Sequence, residues 1–118
     1  MTARVTLTFS CPIDTSLNAR LHWANRKQAN DVNFLDGWAS ARQARLTMPA
    51  GEYMLIYWFH PPDKRKRDLD NMLARMKKHQ DGMFDAWGLD DSCIRRVILE
   101  WGEVEKPGRV VIEVREIT

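Results

Sequence analysis

The residues best suited to catalysis or ligand binding lie in one short segment, His60 to Asn71, with the sequence HPPDKRKRDLDN. Four consecutive cations, Lys64 to Arg67 (the basic segment), are followed at once by two alternate aspartates, Asp68 and Asp70. Clustered cations attract a polyanion such as DNA, whereas clustered carboxylates repel it unless a hard cation such as Mg²⁺ lies between them. Clustered cations next to clustered carboxylates indicate a site that brings phosphate to a metal, as in a nuclease or another phosphoryl-transfer enzyme.

A second acidic pair, Asp90-Asp91, follows Asp70 further along the chain. Each aspartate also has an ordinary structural interpretation. Asp70 would cap a helix, Asp68 would pair with Arg65 or Arg67, and the second pair would form a turn. Capping needs one carboxylate and not three, so the combination with the basic segment favours a metal site.

The segment from about Asp70 to Ala86 has the spacing of an amphipathic helix. At about 100° per residue, Lys77 and Asp81 each fall within about 20° of Asp70, opposite an apolar arc. Lys77 therefore shares a face with a candidate carboxylate, whereas Lys78 points about 100° away. The apolar arc, which is expected to be core, consists of Leu69, Met72, Met76, Met83 and Trp87.

Four segments have the residue patterns of β-strands. Arg4 to Ser10 alternates apolar and polar side chains, and Tyr53 to His60 has the aromatic and β-branched content of a central strand. The last two, Cys93 to Val104 and Arg109 to Ile117, flank the turn sequence Lys106-Pro107-Gly108 and predict a hairpin.

Between the first two strands, the scattered polar and basic residues from Cys11 to Asn30 predict an extended segment or a long loop. A helix capped by Asn30 or Asp31 should follow and end at Leu46. Its buried side is predicted to contain Val32, Leu35, Trp38, Ala39 and Leu46. The order β-α-β-α-β-β predicts one α+β domain, residues 1–118, in which two main helices pack on a mixed sheet of about four strands.

Composition limits the function classes without choosing one. The 118 residues suffice for a single core and leave no room for a regulatory module. The net charge of +2 is too balanced to indicate nucleic acid, so only the local clustering does that. Cys11 and Cys93 lack framework spacing and are expected to be reduced thiols of a cytoplasmic protein. Since no apolar run follows a basic N-terminus, neither a signal peptide nor a membrane span is expected.

Five tryptophans are many for a chain of this length. Packing in a core or a dimer interface is the more common use of such side chains, and stacking on nucleic-acid bases is the alternative. The five are Trp23, Trp38, Trp58, Trp87 and Trp101.

The run from Pro62 to Asn71, PDKRKRDLDN, followed by Leu89-Asp90-Asp91-Ser92, resembles the signature of RusA-family Holliday junction resolvases. These are endonucleases common in phages and prophages. The similarity lies in motif type, order and spacing, and it extends over the whole chain because the family is also a small domain of this size. Cys11-Pro12 and the following Ser16-Leu17-Asn18 are similar to the family's N-terminal segment.

The resemblance implies a homodimer that needs Mg²⁺, or Mn²⁺ in its place, and cuts four-way DNA junctions by paired symmetric nicks in recombination and repair. It implies that Asp68, Asp70 and Asp91 are the catalytic carboxylates and the metal ligands, with Asp90 secondary. The family's helix can carry a functional lysine at the position of Ala74.

Because Ala74 has no charge, the face argument above makes Lys77 the expected substitute for the family lysine. Its ammonium would stabilise negative charge on the reacting phosphate or position a water. Phosphate contacts are expected from Lys64, Arg65, Lys66 and Arg67, with Arg20, His22, Arg26 and Lys27 as weaker candidates.

Two alternatives stay open. One is a nuclease for other branched DNA, such as forks and flaps. A comparison of cleavage of junction, fork, flap and duplex would distinguish it from a junction resolvase. The other is a non-catalytic DNA-binding protein of the same fold, in which the aspartates only cap and pair. That protein would bind DNA in a salt-sensitive way, and Mg²⁺ would not convert binding to cleavage.

Overall fold

The computed structural model describes residues 1–14 and 22–117. The predicted α+β class is confirmed, with one mixed four-stranded sheet and two long helices in the order β-α-β-α-β-β. A short 3₁₀ turn, Asp91–Cys93, precedes the third strand. The main elements are β1 (Thr2–Thr8), α1 (Trp23–Ala44), β2 (Glu52–His60), α2 (Leu69–Ala86), β3 (Ile94–Trp101) and β4 (Arg109–Ile117).

The sheet has the strand order β1-β4-β2-β3, and β2 is central as predicted. The predicted hairpin of β3 and β4 is wrong, because β4 lies antiparallel between β1 and β2. The connection from β3 crosses the end of β2, where Gly102 N–H donates to Phe59 O (2.8 Å) and Glu105 N–H to Pro61 O (2.9 Å). Five consecutive residues of β4, Val110 to Val114, are buried, and alternate ones, Val110, Ile112 and Val114, belong to the hydrophobic core.

Strands β2 and β3 are parallel, and α2 is the connection between them. Parallel strands end at the same edge of a sheet, so the C-terminal ends of β2 and β3 lie side by side. The chain leaves β2 at that edge, passes through the basic segment and enters α2. In open α/β sheets this edge is the usual place for a ligand.

Helix α1 begins at Trp23, within the segment that was expected to be extended or a loop. His22 precedes it, and its Nδ1 accepts a hydrogen bond from Ala24 N–H (3.3 Å). A side chain in that position satisfies one of the backbone N–H groups that a helix start leaves free. The helix start predicted at Asn30 or Asp31 is therefore wrong by about two turns.

The predicted buried side of α1 is also wrong. Its members are exposed, Leu35 at 64%, and the residues buried instead are Ala29, Asn33, Gly37 and Ala41, spaced four apart. The physical reason is a close helix crossing: a Cβ on Gly37 would lie 1.9 Å from His79 O, and a Cβ on Gly82 the same distance from Phe34 O. At these two positions α1 and α2 meet backbone to backbone, so no side chain fits there. The exposed set is Val32, Leu35, Trp38, Ala39 and Leu46.

Helix α2 agrees with its prediction in extent and in its apolar arc. Met72, Met76, Met83 and Trp87 are buried, and Leu69 packs half-buried against the same core. The periodicity did not indicate a second buried side, which contains His79, Gln80 and Gly82. Gln80 accepts a hydrogen bond from the buried Tyr57 hydroxyl (2.6 Å), so α2 is held by the sheet as well as by α1.

Two expectations drawn from composition concern the thiols and the membrane. Cys11 is exposed, Cys93 is half-buried, and both are free. Within the described ranges, neither helix combines the length and the hydropathy that crossing a bilayer requires.

The imidazole of His79 is enclosed between the two helices and is only 2% exposed. Its Nε2 lies 3.5 Å from Ser40 Oγ, and its Nδ1 has no hydrogen-bond partner among the described residues. Burial lowers the pKa of His79 to about 4, because an imidazolium would lose its hydration there, and the negative charge of Asp36 offsets part of this effect.

We expect this histidine to make the fold sensitive to mild acid. Above the ordinary pKa of 6.5 the imidazole is neutral in both states, and its contribution to stability is fully present. Between 6.5 and about 4 the unfolded chain binds a proton that the folded protein excludes, which lowers the free energy of unfolding by about 3 kcal/mol. Urea unfolding of the parent protein and of His79→Gln at several pH values in this window measures the difference. Identical pH dependence in the two proteins would contradict the assignment.

Candidate active site

The basic segment leaves β2 and is shaped by its own arginines. The Arg67 guanidinium lies 2.9 Å from Asp63 Oδ1, donates to the carbonyls of Asp63 and Arg65, and lies 5.1 Å from the centre of the Phe9 ring. Asp63 also accepts from the Arg65 N–H (3.0 Å), and this bond together with Arg67 holds the pKa of the Asp63 carboxyl below its usual range. Arg67, predicted to contact phosphate, is thus engaged in holding the segment in place.

Lys64 and Lys66 have the opposite character. Both are exposed, and neither makes an ion pair with any described residue. All four basic residues line one groove, but the two arginines are paired with Asp63. The capacity to contact phosphate therefore falls mainly on Lys64 and Lys66, with Arg65 only loosely paired to Asp63 at 3.7 Å.

Asp68 and Asp70 are exposed at the start of α2, and neither takes the structural role considered for it. Asp68 is the N-cap residue, but its side chain makes no capping hydrogen bond. Asp70 follows in the first turn and accepts from the N–H of Asn71 (3.0 Å), so the prediction that Asp70 is the cap is wrong. The predicted pairing of Asp68 with Arg65 or Arg67 is wrong as well, because both arginines form ion pairs with Asp63 instead.

Asp91 lies beside the middle of α2. Its Oδ2 is 2.8 Å from Lys77 Nζ, which also lies 2.9 Å from Asp81 Oδ1. The hydrogen bond to Asp91, followed by the one to Asp81, raises the pKa of Lys77. The Lys77 ammonium in turn lowers the pKa of Asp91. Among the described residues, Lys78 forms an ion pair only with Asp81, at 4.0 Å. Lys77 thus contacts Asp81, as the shared helix face predicted, and also Asp91, while its role as the site lysine stays a prediction.

The candidate carboxylates form two groups along α2. Seven residues separate Asp70 from Lys77, which corresponds to about 10 Å along a helix axis. Within residues 1–14 and 22–117, no cluster of three or more His, Cys, Asp or Glu side chains is arranged to hold a metal ion. Mg²⁺ is commonly held by one or two carboxylates together with water and substrate phosphate, and Asp68 with Asp70 has that donor chemistry. The assignment of Asp68, Asp70 and Asp91 as metal ligands stays a prediction.

The remaining predicted site residues lie elsewhere. Arg20 and the Ser16-Leu17-Asn18 run fall outside the described residues. Lys27 pairs with Asp31 on α1 at 3.4 Å, four residues along the same helix. Asp90 accepts a hydrogen bond from the Ser92 hydroxyl, as expected for a turn.

Sequence reasoning missed two side chains at this end of the molecule. Arg75 on α2 donates to the carbonyls of Pro12 (2.8 Å) and Ser10 (2.7 Å) and so ties the chain after β1 to the helix. Trp101, at the end of β3, is 38% exposed and lines a groove of about 290 Å³ beside the basic segment. Core packing is confirmed for Trp87, whereas Trp38 and Trp101 are exposed, and packing in a dimer interface stays a prediction for these two. No periodic signal distinguishes these tryptophans, since the difference depends on neighbours distant in the sequence.

No protein-family model matches the chain. A protein of Xylella fastidiosa (strain Temecula1), described as an uncharacterized protein, is 40% identical to it over 112 residues. The matched region covers 89% of this chain and 71% of that protein.

The bond between Lys77 and Asp91 gives a direct test of the site geometry. Replacing Lys77 by glutamine should raise the pKa of Asp91, because the Lys77 ammonium is the main cause of its low value. Lys78→Gln removes an equal charge and should leave the pKa of Asp91 nearly unchanged, since Lys78 makes no contact with it. Carboxyl-carbon NMR titration measures both variants. Equal displacements in the two would show that Asp91 responds to general charge and not to this hydrogen bond.

Proposed function

The chain belongs to the same family as this Xylella fastidiosa protein, and we propose that it is a metal-dependent, structure-specific DNA endonuclease of the cytoplasm. Its substrate would be the four-way junction of recombination and repair, resolved by paired symmetric nicks. One observation carries the proposal: two exposed aspartates without a capping hydrogen bond follow the basic segment, whose two lysines have no ion-pair partner among the described residues, at the edge where parallel strands end. Apart from hydrogen bonds from Asn71 to both carboxylates, the described residues give these aspartates and lysines no side-chain partner, which supports a role toward a ligand.

The lysines would hold the DNA by its phosphates. Lys64 and Lys66 can approach a phosphate without first losing a carboxylate partner, because no described residue pairs with them. The start of α2 adds the partial positive charge of a helix N-terminus, which also favours an anion. The backbone of the DNA would thereby be brought to Asp68 and Asp70.

Asp68 and Asp70 would hold the metal. Mg²⁺, or Mn²⁺ in its place, would supply charge neutralisation and an activated water for hydrolysis of the phosphodiester. Lys77 keeps the Asp91 carboxylate ionised and fixes its position, so that Asp91 can serve the same reaction as a second negative group. The Lys77 ammonium would then stabilise charge that develops on the phosphate.

Paired nicks require two equivalent sites, and a homodimer with two-fold symmetry provides them. The exposed apolar residues of α1 support such an assembly. Val32, Leu35 and Trp38 leave a large apolar area uncovered on a helix whose other side is packed on α2.

A second candidate is a non-catalytic DNA-binding protein of the same fold. The observation that favours it is the engagement of Asp91 by Lys77, which occupies a carboxylate that the nuclease would use. A nuclease for forks or flaps would use the same residues as a junction resolvase, so comparison of junction, fork, flap and duplex as substrates separates these two.

The carboxylate hypothesis predicts that Asp70→Asn and Asp91→Asn each fold normally and lose Mg²⁺-dependent cleavage of a mobile four-way junction. Neither carboxylate caps a helix, so loss of stability should be small, while the negative charge that the metal requires is gone. DNA binding should persist or tighten, because one anion near the phosphates has been removed. Gel assays of cleavage and binding measure both properties.

Asp85→Asn serves as the matched control, because Asp85 is an exposed aspartate near the end of α2 with no proposed role. It should cut at the parent rate. If Asp70→Asn and Asp91→Asn also cut at the parent rate, the proposed carboxylate site does not exist. A parent protein that binds junctions but does not cut them with Mg²⁺ or Mn²⁺ would identify the second candidate.

The phosphate contacts predict a change in salt dependence. Replacing Lys64 and Lys66 together by glutamine should weaken duplex binding for all sequences and reduce the slope of log affinity against log salt by about 2, since each contact releases counterions. Arg95→Gln with Arg96→Gln removes the same charge at the opposite end of β3 and should leave the slope nearly unchanged. Fluorescence anisotropy across a salt titration measures the slopes. An unchanged slope in the lysine variant would show that the segment faces away from DNA.

A further inference from the structure

The groove beside the basic segment has one aromatic wall. It lies at the edge where β2 and β3 end, has a volume of about 290 Å³, and is lined by Lys64, Lys66, Trp101, Gly102 and Val104 among others. The phosphate contacts proposed above involve only the two lysines of this groove. Trp101 and Val104, which line the same groove, have no part in them.

The Trp101 side chain is held in place by its neighbours while much of it stays exposed. Its ring centroid lies 6.0 Å from that of the fully buried Phe59, with the planes tilted by 59°. Directly after it, Gly102 N–H donates to Phe59 O (2.8 Å), and a Cβ on Gly102 would lie 2.3 Å from the His60 ring. Packing on Phe59 and the tight position of Gly102 together restrict Trp101, so stacking on it would cost little conformational entropy.

The charges around this tryptophan favour a nucleotide over an uncharged aromatic ligand. Lys64 and Lys66 border the groove without ion-pair partners among the described residues. Asp63 also lines it, but Arg65 and Arg67 neutralise that carboxylate. An exposed aromatic ring beside cations is the combination that single-stranded nucleic acid uses, with stacking for the base and cations for the backbone.

We propose that Trp101 binds an unpaired DNA base by stacking in this groove, while Lys64 and Lys66 hold the adjoining phosphates. The inference rests on the DNA-binding part of the proposed function and does not require cleavage. Bases within a duplex are already stacked on their neighbours, so the ligand is an unpaired nucleotide, either in an open single strand or at the branch point of a junction. Trp101 would thereby distinguish branched or open DNA from plain duplex.

The test compares tryptophan variants in EDTA, where Mg²⁺-dependent cleavage cannot contribute. Trp101→Leu keeps an apolar contact with Phe59 but removes the aromatic face, and Trp101→Phe restores a smaller one. Val97→Ala is the control, since Val97 is an exposed apolar residue of the same strand, β3, and lies outside the groove. The probes are a labelled oligothymidylate of about 15 nucleotides, a blunt duplex, and a four-way junction with or without abasic nucleotides at the branch.

Trp101→Leu should lose about tenfold in affinity for oligothymidylate or for the junction, within the range measured for base stacking. Trp101→Phe should recover most of that loss, while duplex binding and the Val97→Ala variant stay at the parent level. If the base comes from the branch point, abasic junctions should bind parent and Trp101→Leu equally.

The proposal is overturned if Trp101→Leu binds oligothymidylate and junction within twofold of the parent. It is equally overturned if Trp101→Leu and Trp101→Phe weaken all probes alike, which would indicate a structural role. Thermal unfolding of each variant verifies folding. Failure of junction cleavage in Mg²⁺ leaves this binding result intact, so the two proposals fail separately.

Discussion

The backbone contact between α1 and α2 fixes the position of α2, which has Asp68 and Asp70 at its start and contacts Asp91 through Lys77. Gly37 and Gly82 allow the approach, since a Cβ at either position would overlap the opposite helix. On its other side α2 packs a methionine-rich arc on the sheet. Held from two directions, the helix places its first turn at the end of β2 and its middle beside Asp91.

The charges of the chain divide into those that hold the fold together and those that remain available. Asp63 engages Arg65 and Arg67, which leaves the two intervening lysines unpaired among the described residues. Lys77 engages Asp81 and Asp91, while the carboxylates at the start of α2 remain exposed. Free cations, exposed carboxylates and a half-exposed tryptophan therefore lie near one edge of the sheet. A ligand that carries both phosphate and an aromatic base suits this combination.

Local patterns in the sequence determined the order of the elements, the extent of α2 and its buried methionine arc. They also identified β2 as a central strand and Lys77 as the lysine that shares a face with Asp81. Each of these features depends on residues within a few turns or one strand of each other. Periodicity expresses that kind of relation well, because helix and strand geometry are fixed by the backbone.

Tertiary structure alone decided the features that depend on distant segments. The closeness of two helix backbones selected the small-residue side of α1 for burial, although larger apolar residues lie on its other side. The connection from β3 to β4 crosses the end of β2, so β4 lies in the middle of the sheet. The fold also determines the ion pairs, in which Arg67 pairs with Asp63 and Lys77 with Asp91. The sequence supplied the charged residues of the site, but only three-dimensional proximity determines which of them neutralise one another and which remain free for a ligand.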